Sequence, residues 1–574
     1  MLLFSQIAEI FYKLEQKSSR LEMTDILAEL FKKSKHTEID KIVYFIQGIL
    51  VPPYEGLDLG LGERFAIEAI SHASGHDRKK IEETYKKTGD LGITAQEFLS
   101  KKKQLSLSSM QMDVNYVYNS FMKIAIMSGQ GSQDLKIKHL AELLNNSSPL
   151  EARFIIRFVT GTLRLGIGDP TVIDAFSVSK TGDKSLREEL ERAYNVCADL
   201  GLIARTFYET PEKIKDFKVT PFKTLMPALA ERLSTPQEII EKIGECYVEL
   251  KFDGFRIQCH KKGDKVELYS RKLEKMTNMF PEVVAAIKNL KVDDVIFEGE
   301  ALAYDESKKK YFSFQQTMQR KRKHGIDNAS RELPLNIFCF EILYLNGSDL
   351  TLLPFRERRK KLESLFPNGI LKLSEKYDIK NAEELEAVFQ NSIDNGLEGI
   401  MAKDLDAPYT AGKRKFAWIK LKKSYGRAID TVDAVIVGYY LGKGTRVEFK
   451  FGGLLVAVRN TDTQKLQTIA KIGSGFSEAE MMDLKKMLAK ITTKNPPKDL
   501  EYTIEAPDFW VKPKYVVEVA FDDITLSSVH TCGIREGKGY ALRFPRLQKL
   551  RDDKGLNEIT TAGEVESMYE MQKR

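Results

Sequence analysis

The run Glu249-Leu-Lys-Phe-Asp-Gly-Phe-Arg256 brings a carboxylate, an amine and a guanidinium close together in the chain. A lysine attacks phosphorus only as the free amine, so Lys251 needs a lowered pKa, which a neighbouring cation such as Arg256 or a bound metal helps supply. Asp253-Gly254 joins two alternating runs, a strong hairpin signal. The spacing therefore predicts that Phe252 pairs with Phe255 and Lys251 with Arg256. In that register Val248, Leu250, Phe252, Phe255 and Ile257 face a core, while Glu249, Lys251, Arg256 and Gln258 share the other face. A bare Lys-x-Asp-Gly tetrad reads equally as a solvent-facing turn, and further residues have to decide.

Three later segments offer them. In Phe297-Glu-Gly-Glu-Ala-Leu302, Glu298 and Glu300 fall on one strand face, where oxygen ligands for Mg²⁺ could sit. Leu397-Glu-Gly-Ile-Met-Ala-Lys403 presents Glu398 in a similar short strand. Trp418-Ile-Lys-Leu-Lys422 sets Lys420 and Lys422 on one face and Ile419 with Leu421 on the other, as suits a strand that packs one way and meets phosphates the other. Each segment by itself is equally an ordinary half-exposed strand.

Three textures along the chain must position these groups. Up to about residue 200 the pattern is helical: Phe4, Ile7, Ile10, Phe11 and Leu14 recur at three and four, with similar stripes at 137–144 and 151–158. Gly129-Gln-Gly-Ser-Gln133 beside Lys136, and Gly161 to Gly168 around Arg164, break these helices. Such turns hold phosphates or simply connect helices. After Pro221 short alternating segments mix with helical ones, an α+β region. From about Asp430 the runs 432–440, 453–458 and 516–521 read as strands and 478–491 as a helix, which fits a small barrel. The run Arg320-Lys-Arg-Lys-His324 reads as a phosphate-facing surface or a solvated loop.

Composition narrows the class. At 574 residues the chain exceeds a single core, and 42% hydrophobic with 30% charged residues marks a globular protein rather than a disordered one. Five scattered cysteines, with no CxxC pair and an odd count, argue against a zinc site or disulfide framework and for buried thiols. Lysine and arginine exceed aspartate and glutamate by 89 to 82, a mild excess that permits nucleic-acid binding. No apolar run reaches the roughly 18 residues of a membrane helix, and the first residues lack a secretory pattern, so a cytoplasmic location is expected.

In order and spacing, the 249–256 run, Ser270-Arg271, 297–302, Phe338-Cys-Phe-Glu-Ile-Leu-Tyr-Leu-Asn-Gly347, 398–403 and 418–422 resemble the motifs of the covalent nucleotidyltransferases. Within that superfamily the chain resembles the archaeal, eukaryotic-type ATP-dependent DNA ligases over nearly its whole length. Glu151-Ala-Arg-Phe154, Leu163-Arg-Leu-Gly166, Gly473-Ser-Gly-Phe476, Leu542-Arg-Phe-Pro-Arg546 and Arg551-Asp-Asp-Lys554 extend the likeness beyond the core. Two departures are Phe252, where the family often has Tyr, and Glu298, where Asp is common. They leave the role of Glu298 open.

The resemblance implies an all-helical DNA-binding domain over 1–212, an α+β adenylation domain over 213–427 and an OB-fold β-barrel over 428–574. It implies nick sealing in duplex DNA during replication, recombination and repair. Lys251 would take AMP from ATP as a phosphoramide, with Mg²⁺ as the metal. Glu249 would contact the adenine, Phe340 stack on it, and Arg256 and Arg271 touch the nucleotide. Glu300 and Glu398 would contact ribose or bind the metal, Arg414, Lys420 and Lys422 would hold phosphates, and Arg551 with Lys554 would orient the leaving pyrophosphate. Nicked DNA and a sliding clamp are the implied partners of a monomer working at the nucleoid. Gln104-Leu-Ser-Leu107 stands where related ligases carry a clamp-binding peptide, though without the usual aromatic pair, and also reads as a linker. An RNA ligase or capping guanylyltransferase would share the Lys251 chemistry, but the large helical region favours duplex DNA. A catalytically silent nucleic-acid scaffold would not need Lys251, Glu300, Glu398 and Lys420 together.

Overall fold

The computed structural model describes the chain except residues 18, 103–110, 164, 234, 306–309, 313, 323–324, 366–368, 396, 423–430, 443–450, 552–553, 557 and 574; for Arg414 it describes the backbone alone. The chain divides into two compact units, one of residues 1–76 with 95–425, the other of 77–94 with 426–574.

The first unit begins with helices whose ends are written in their sequence. Ser148 caps the helix Pro149–Val159: its hydroxyl accepts from the Glu151 amide, the Glu151 side chain reaches back to the Ser148 amide, and Pro149 opens the helix at no hydrogen-bond cost. Phe4, Phe121 and Phe158 pack their rings around Phe45 as edge-on contacts at centroid distances of 5.3 to 6.1 Å. Both glycine breaks are turns, with positive φ at Gly129, Gly131, Gly161 and Gly166. Lys136 does not face a phosphate from there. It is buried and donates to the Leu59 carbonyl at 2.7 Å. Arg164 and the 104–107 segment lie outside the described residues.

The helices reach the α+β region through a polar knot. Asp199 accepts from the hydroxyls of Tyr44 and Tyr54, each at 2.8 Å, and Tyr54 in turn accepts from Lys223 at 2.9 Å. Just beyond, Phe222 adopts a positive φ of 71°, held by its amide donating to Nδ1 of the buried His260 at 2.9 Å.

Two sheets form the α+β region. The first is five-stranded, in the order Leu229–Arg232, Arg414–Lys422, Gly399–Asp404, Cys246–Lys251, Lys376–Ile379. The second is seven-stranded and runs through Lys265–Ser270, Phe255–Lys262, Asp294–Asp305 and Leu335–Leu345. The expected hairpin at Asp253-Gly254 is therefore absent. Lys251 pairs with Gly399 and Arg256 with Glu300, in different sheets. The alternation on each strand holds, but Val248 enters one core with Ile400, Ile419 and Leu421, while Phe255 and Ile257 enter another with Phe297 and Ile337. Gly254 is the crossing point, since a Cβ there would lie 2.3 Å from the Ala301 carbonyl oxygen.

In the second unit an eight-stranded sheet is built around Thr431–Tyr440, Gly453–Arg459, Leu466–Ile472 and Val516–Ala520, with a separate three-stranded sheet of Asp523–Ser527, Lys538–Arg543 and Cys532–Arg535. The helix Glu478–Ala489 starts with a Ser477/Glu480 capping box and sends Met481, Leu484 and Leu488 into a core with Val432, Ile436, Val456 and Val517. The expected sequence of helical, α+β and strand-rich barrel architecture is thus present. All five cysteines are buried and unpaired.

Candidate active site

Lys251 ends its strand, and the partner strand places Glu398 beside it. Gly399 is in register with both Lys251 and Lys422, so the residue before it reaches both lysines. Glu398 forms ion pairs with the Lys251 and Lys422 ammonium groups, and its amide donates to the Lys251 carbonyl at 3.1 Å. Gly399 is required by this approach: its φ is +145°, and a Cβ would lie 2.1 Å from the Leu421 carbonyl oxygen. Ile419 and Leu421 are buried on the opposite face from Lys420 and Lys422, as the alternation predicts.

Burial pushes the Lys251 ammonium down from its ordinary range, against Glu300 and Asp253, and Arg271 adds to the depression. Desolvation therefore leads, and the nearby cation that helps is Arg271. Burial pushes the Glu300 carboxyl up to about 7, with Lys251 and Arg256 opposing. Two carboxylates thus adjoin Lys251, Glu398 by direct contact and Glu300 through its field.

Glu298 has a different place. It is 1% exposed and takes Arg256 Nη2 at 2.6 Å, the Tyr409 hydroxyl at 3.0 Å and Gln258 Nε2 at 3.2 Å. A carboxylate so fully bonded fixes Arg256 rather than waiting for a metal. Arg256 also donates to the Ala228 carbonyl at 2.9 Å and lies over the rings of Phe340 and Trp418 at 5.4 and 5.3 Å. Its Nε is buried with no acceptor among the described residues, a donor that an incoming polar ligand would satisfy.

Glu249 is also enclosed, at 3% exposure. Arg359 donates to its Oε1 at 3.0 Å and Lys403 lies 2.8 Å from its Oε2. Burial pushes the Glu249 carboxyl up while these two cations oppose the shift. Lys403 further lies over Phe340, Phe355 and Trp418 and donates to the Phe340 carbonyl at 2.9 Å. Sequence reading singled out neither Lys403 nor Arg359 nor Tyr409. Arg359 belongs to Arg356-Glu-Arg-Arg359, which looks like a solvated helix face; the usable signal was acids at Glu249 and Glu341 in otherwise apolar strands, since buried carboxylates require cations. Arg358 answers Glu341 in the same way, at 2.9 Å.

Arg320 is not on a phosphate-facing surface. It is fully buried and paired with Glu282. No group of three or more His, Cys, Asp or Glu side chains stands ready for a metal among the described residues, and no described helix is long and apolar enough to cross a membrane.

Comparison with known proteins adds to this geometry. Residues 227–422 match the family model described as ATP dependent DNA ligase domain, 3–177 the DNA ligase N terminus and 448–554 the ATP dependent DNA ligase C terminal region. The chain is 44% identical over 579 residues to a probable DNA ligase of Dictyoglomus turgidum, and 42% identical over 589 residues to a DNA ligase of Sulfurisphaera tokodaii; each alignment covers 100% of this chain and 98% of the relative. Among solved structures, the chain named Pmar-Lig_Pre has a TM-score of 0.58 at 16% identity, covering 95% of this chain and 99% of its own, a likeness of fold.

Proposed function

The chain belongs to the ATP-dependent DNA ligase family, and from that premise we propose that Lys251 is its nucleophile. The family's activity is to seal nicks in duplex DNA using ATP. The observation that carries the assignment is the Lys251–Glu398–Lys422 cluster: a buried amine with a depressed pKa, one carboxylate in contact and a second lysine on the same acid.

The chemistry follows from those groups. Glu398 orients the Lys251 amine, and once its proton has left, Nζ attacks the α-phosphorus of ATP. The new P–N bond replaces the bond to the β-phosphate oxygen, and pyrophosphate leaves. The AMP then passes to the 5′-phosphate of the nick, and the 3′-hydroxyl displaces it. In this reading Phe340 stacks on the adenine and Glu249 contacts its edge. Arg256 and Arg271 touch the nucleotide, and Arg414, Lys420 and Lys422 hold phosphates. Glu300 and Glu398 fit a Mg²⁺ ion, which is bound through one or two carboxylates plus substrate phosphates and supplies charge neutralisation at the phosphoryl group. Arg551 and Lys554 orient the leaving pyrophosphate.

Residues 1–212 act as the DNA-binding domain, 213–427 as the adenylation domain and 428–574 as the OB-fold. The protein works as a monomer on nicked DNA, at the nucleoid in the cytoplasm, with a sliding clamp as partner. The test is incubation with α-labelled ATP, ADP, GTP or NAD⁺ and Mg²⁺, followed by a denaturing gel and acid treatment. Acid-labile AMP on the wild type, with at least a thousandfold less on Lys251→Ala, is the expected result. Undiminished labelling of Lys251→Ala would overturn the assignment.

A further inference from the structure

In the second unit, Asp433 and Glu518 stand directly opposite each other on paired antiparallel strands. Like charges in that position repel, and a sheet keeps them only with a reason. The reason here is two cations. Arg551 Nη1 donates to Asp433 Oδ1 at 3.1 Å and to Glu518 Oε2 at 3.2 Å, while Lys554 donates to Asp433 Oδ2 at 2.6 Å. The four side chains are between 16% and 28% exposed, sheltered enough for the pairs to matter and open enough to exchange. The strand Arg546–Arg551, which carries Arg551, pairs with the strand that carries Glu518, so the dock and the cation are held by one sheet.

The cations held here are the pair assigned above to the pyrophosphate, and a guanidinium and an ammonium spaced across two carboxylates match a polyphosphate equally well. We propose that Asp433 and Glu518 are an internal competitor for pyrophosphate, holding Arg551 and Lys554 until the β- and γ-phosphates of ATP displace the carboxylates. The inference rests on the pyrophosphate role of Arg551 and Lys554. It assigns positioning residues: neither acid touches a reacting atom, and their effect is on how readily the two cations become available.

Asp433→Asn removes the charge and keeps the shape, and the Asp433 backbone bonds to Thr560 do not depend on the side chain. Glu518→Gln is the parallel variant. Single-turnover self-adenylation of the full chain is followed against ATP concentration, and discharge of the AMP-enzyme against pyrophosphate concentration. Either variant lowers both half-saturating concentrations about fivefold, the worth of one partly exposed ion pair, and purified AMP-enzyme seals nicked duplex at the wild-type rate. Half-saturating concentrations that stay the same or rise in both variants would overturn the competitor. Lys554→Ala separates the two layers: if it self-adenylates as fast as the wild type, the pyrophosphate role itself fails. If it is slow while the acid variants gain nothing, only the competitor fails.

Discussion

Lys403 looks unremarkable in the sequence, at the end of a short apolar run, yet in the fold it is 1% exposed and meets Glu249 at 2.8 Å among three aromatic rings. Burial pushes its ammonium down, and the Glu249 carboxylate opposes that. Breaking one partner of a buried pair leaves an uncompensated charge, which costs far more than the pair contributes. Lys403→Met, close in volume, is expected to destabilise the chain by about 3 kcal/mol, read as a lower urea midpoint with an unchanged slope. A midpoint within error of the wild type would mean that Arg359 alone balances Glu249. The same reasoning separates Glu298 from Glu300, neighbours on one strand: the first is saturated by Arg256, Gln258 and Tyr409, the second sits in the field of Lys251.

At the scale of elements, the site depends on strands that approach closely. The register of Gly399 with Lys251 on one side and Lys422 on the other lets a single carboxylate hold both lysines. A methyl group at 399 meets the Leu421 carbonyl at 2.1 Å in a backbone conformation that L side chains rarely adopt. Gly399→Ala is expected to cost about 3 kcal/mol and to slow self-adenylation at least tenfold, because the strand separation moves Glu398 away from both lysines. Wild-type labelling rates in a folded Gly399→Ala protein would show that the Glu398 contact is dispensable. Gly299 plays a related part on the Glu300 strand, where a Cβ would lie 2.7 Å from Ile337 Cγ2.

Across the whole molecule, stability and pH are linked through a buried histidine. Burial pushes His260 down to about 3; its Nδ1 accepts from the Phe222 amide and its Nε2 lies 2.9 Å from Gln258 Oε1, so the neutral ring is the one that fits. Between pH 3 and an ordinary histidine value near 6.5, the unfolded chain binds the proton and the folded chain does not. Stability therefore rises with pH in that window and is lost as pH falls below about 6.5, with a slope of up to about 1.4 kcal/mol per pH unit from this group. Urea unfolding at stepped pH should show a shallower slope for His260→Gln than for the wild type, and equal slopes would exclude the linkage. The bond concerns more than one strand, because Phe222 lies in the segment that carries the helices into the sheets.

What the sequence determined by itself was local. Helix stripes, the Ser148 cap, the alternation that buries Ile419 and Leu421 under Lys420 and Lys422, and the ordered run of chemical residues all follow from spacing along one stretch of chain, where period and face are fixed by backbone geometry. Partner choice was left to tertiary structure. Asp253-Gly254 carries every local mark of a hairpin, yet the strands it joins enter different sheets, because Lys251 finds its neighbour in Gly399 and Arg256 finds its own in Glu300. Lys403 and Arg359 escaped notice for the same reason: a cation's role depends on which carboxylate lies across the fold, and burial multiplies the strength of that pairing only after the chain has closed around it.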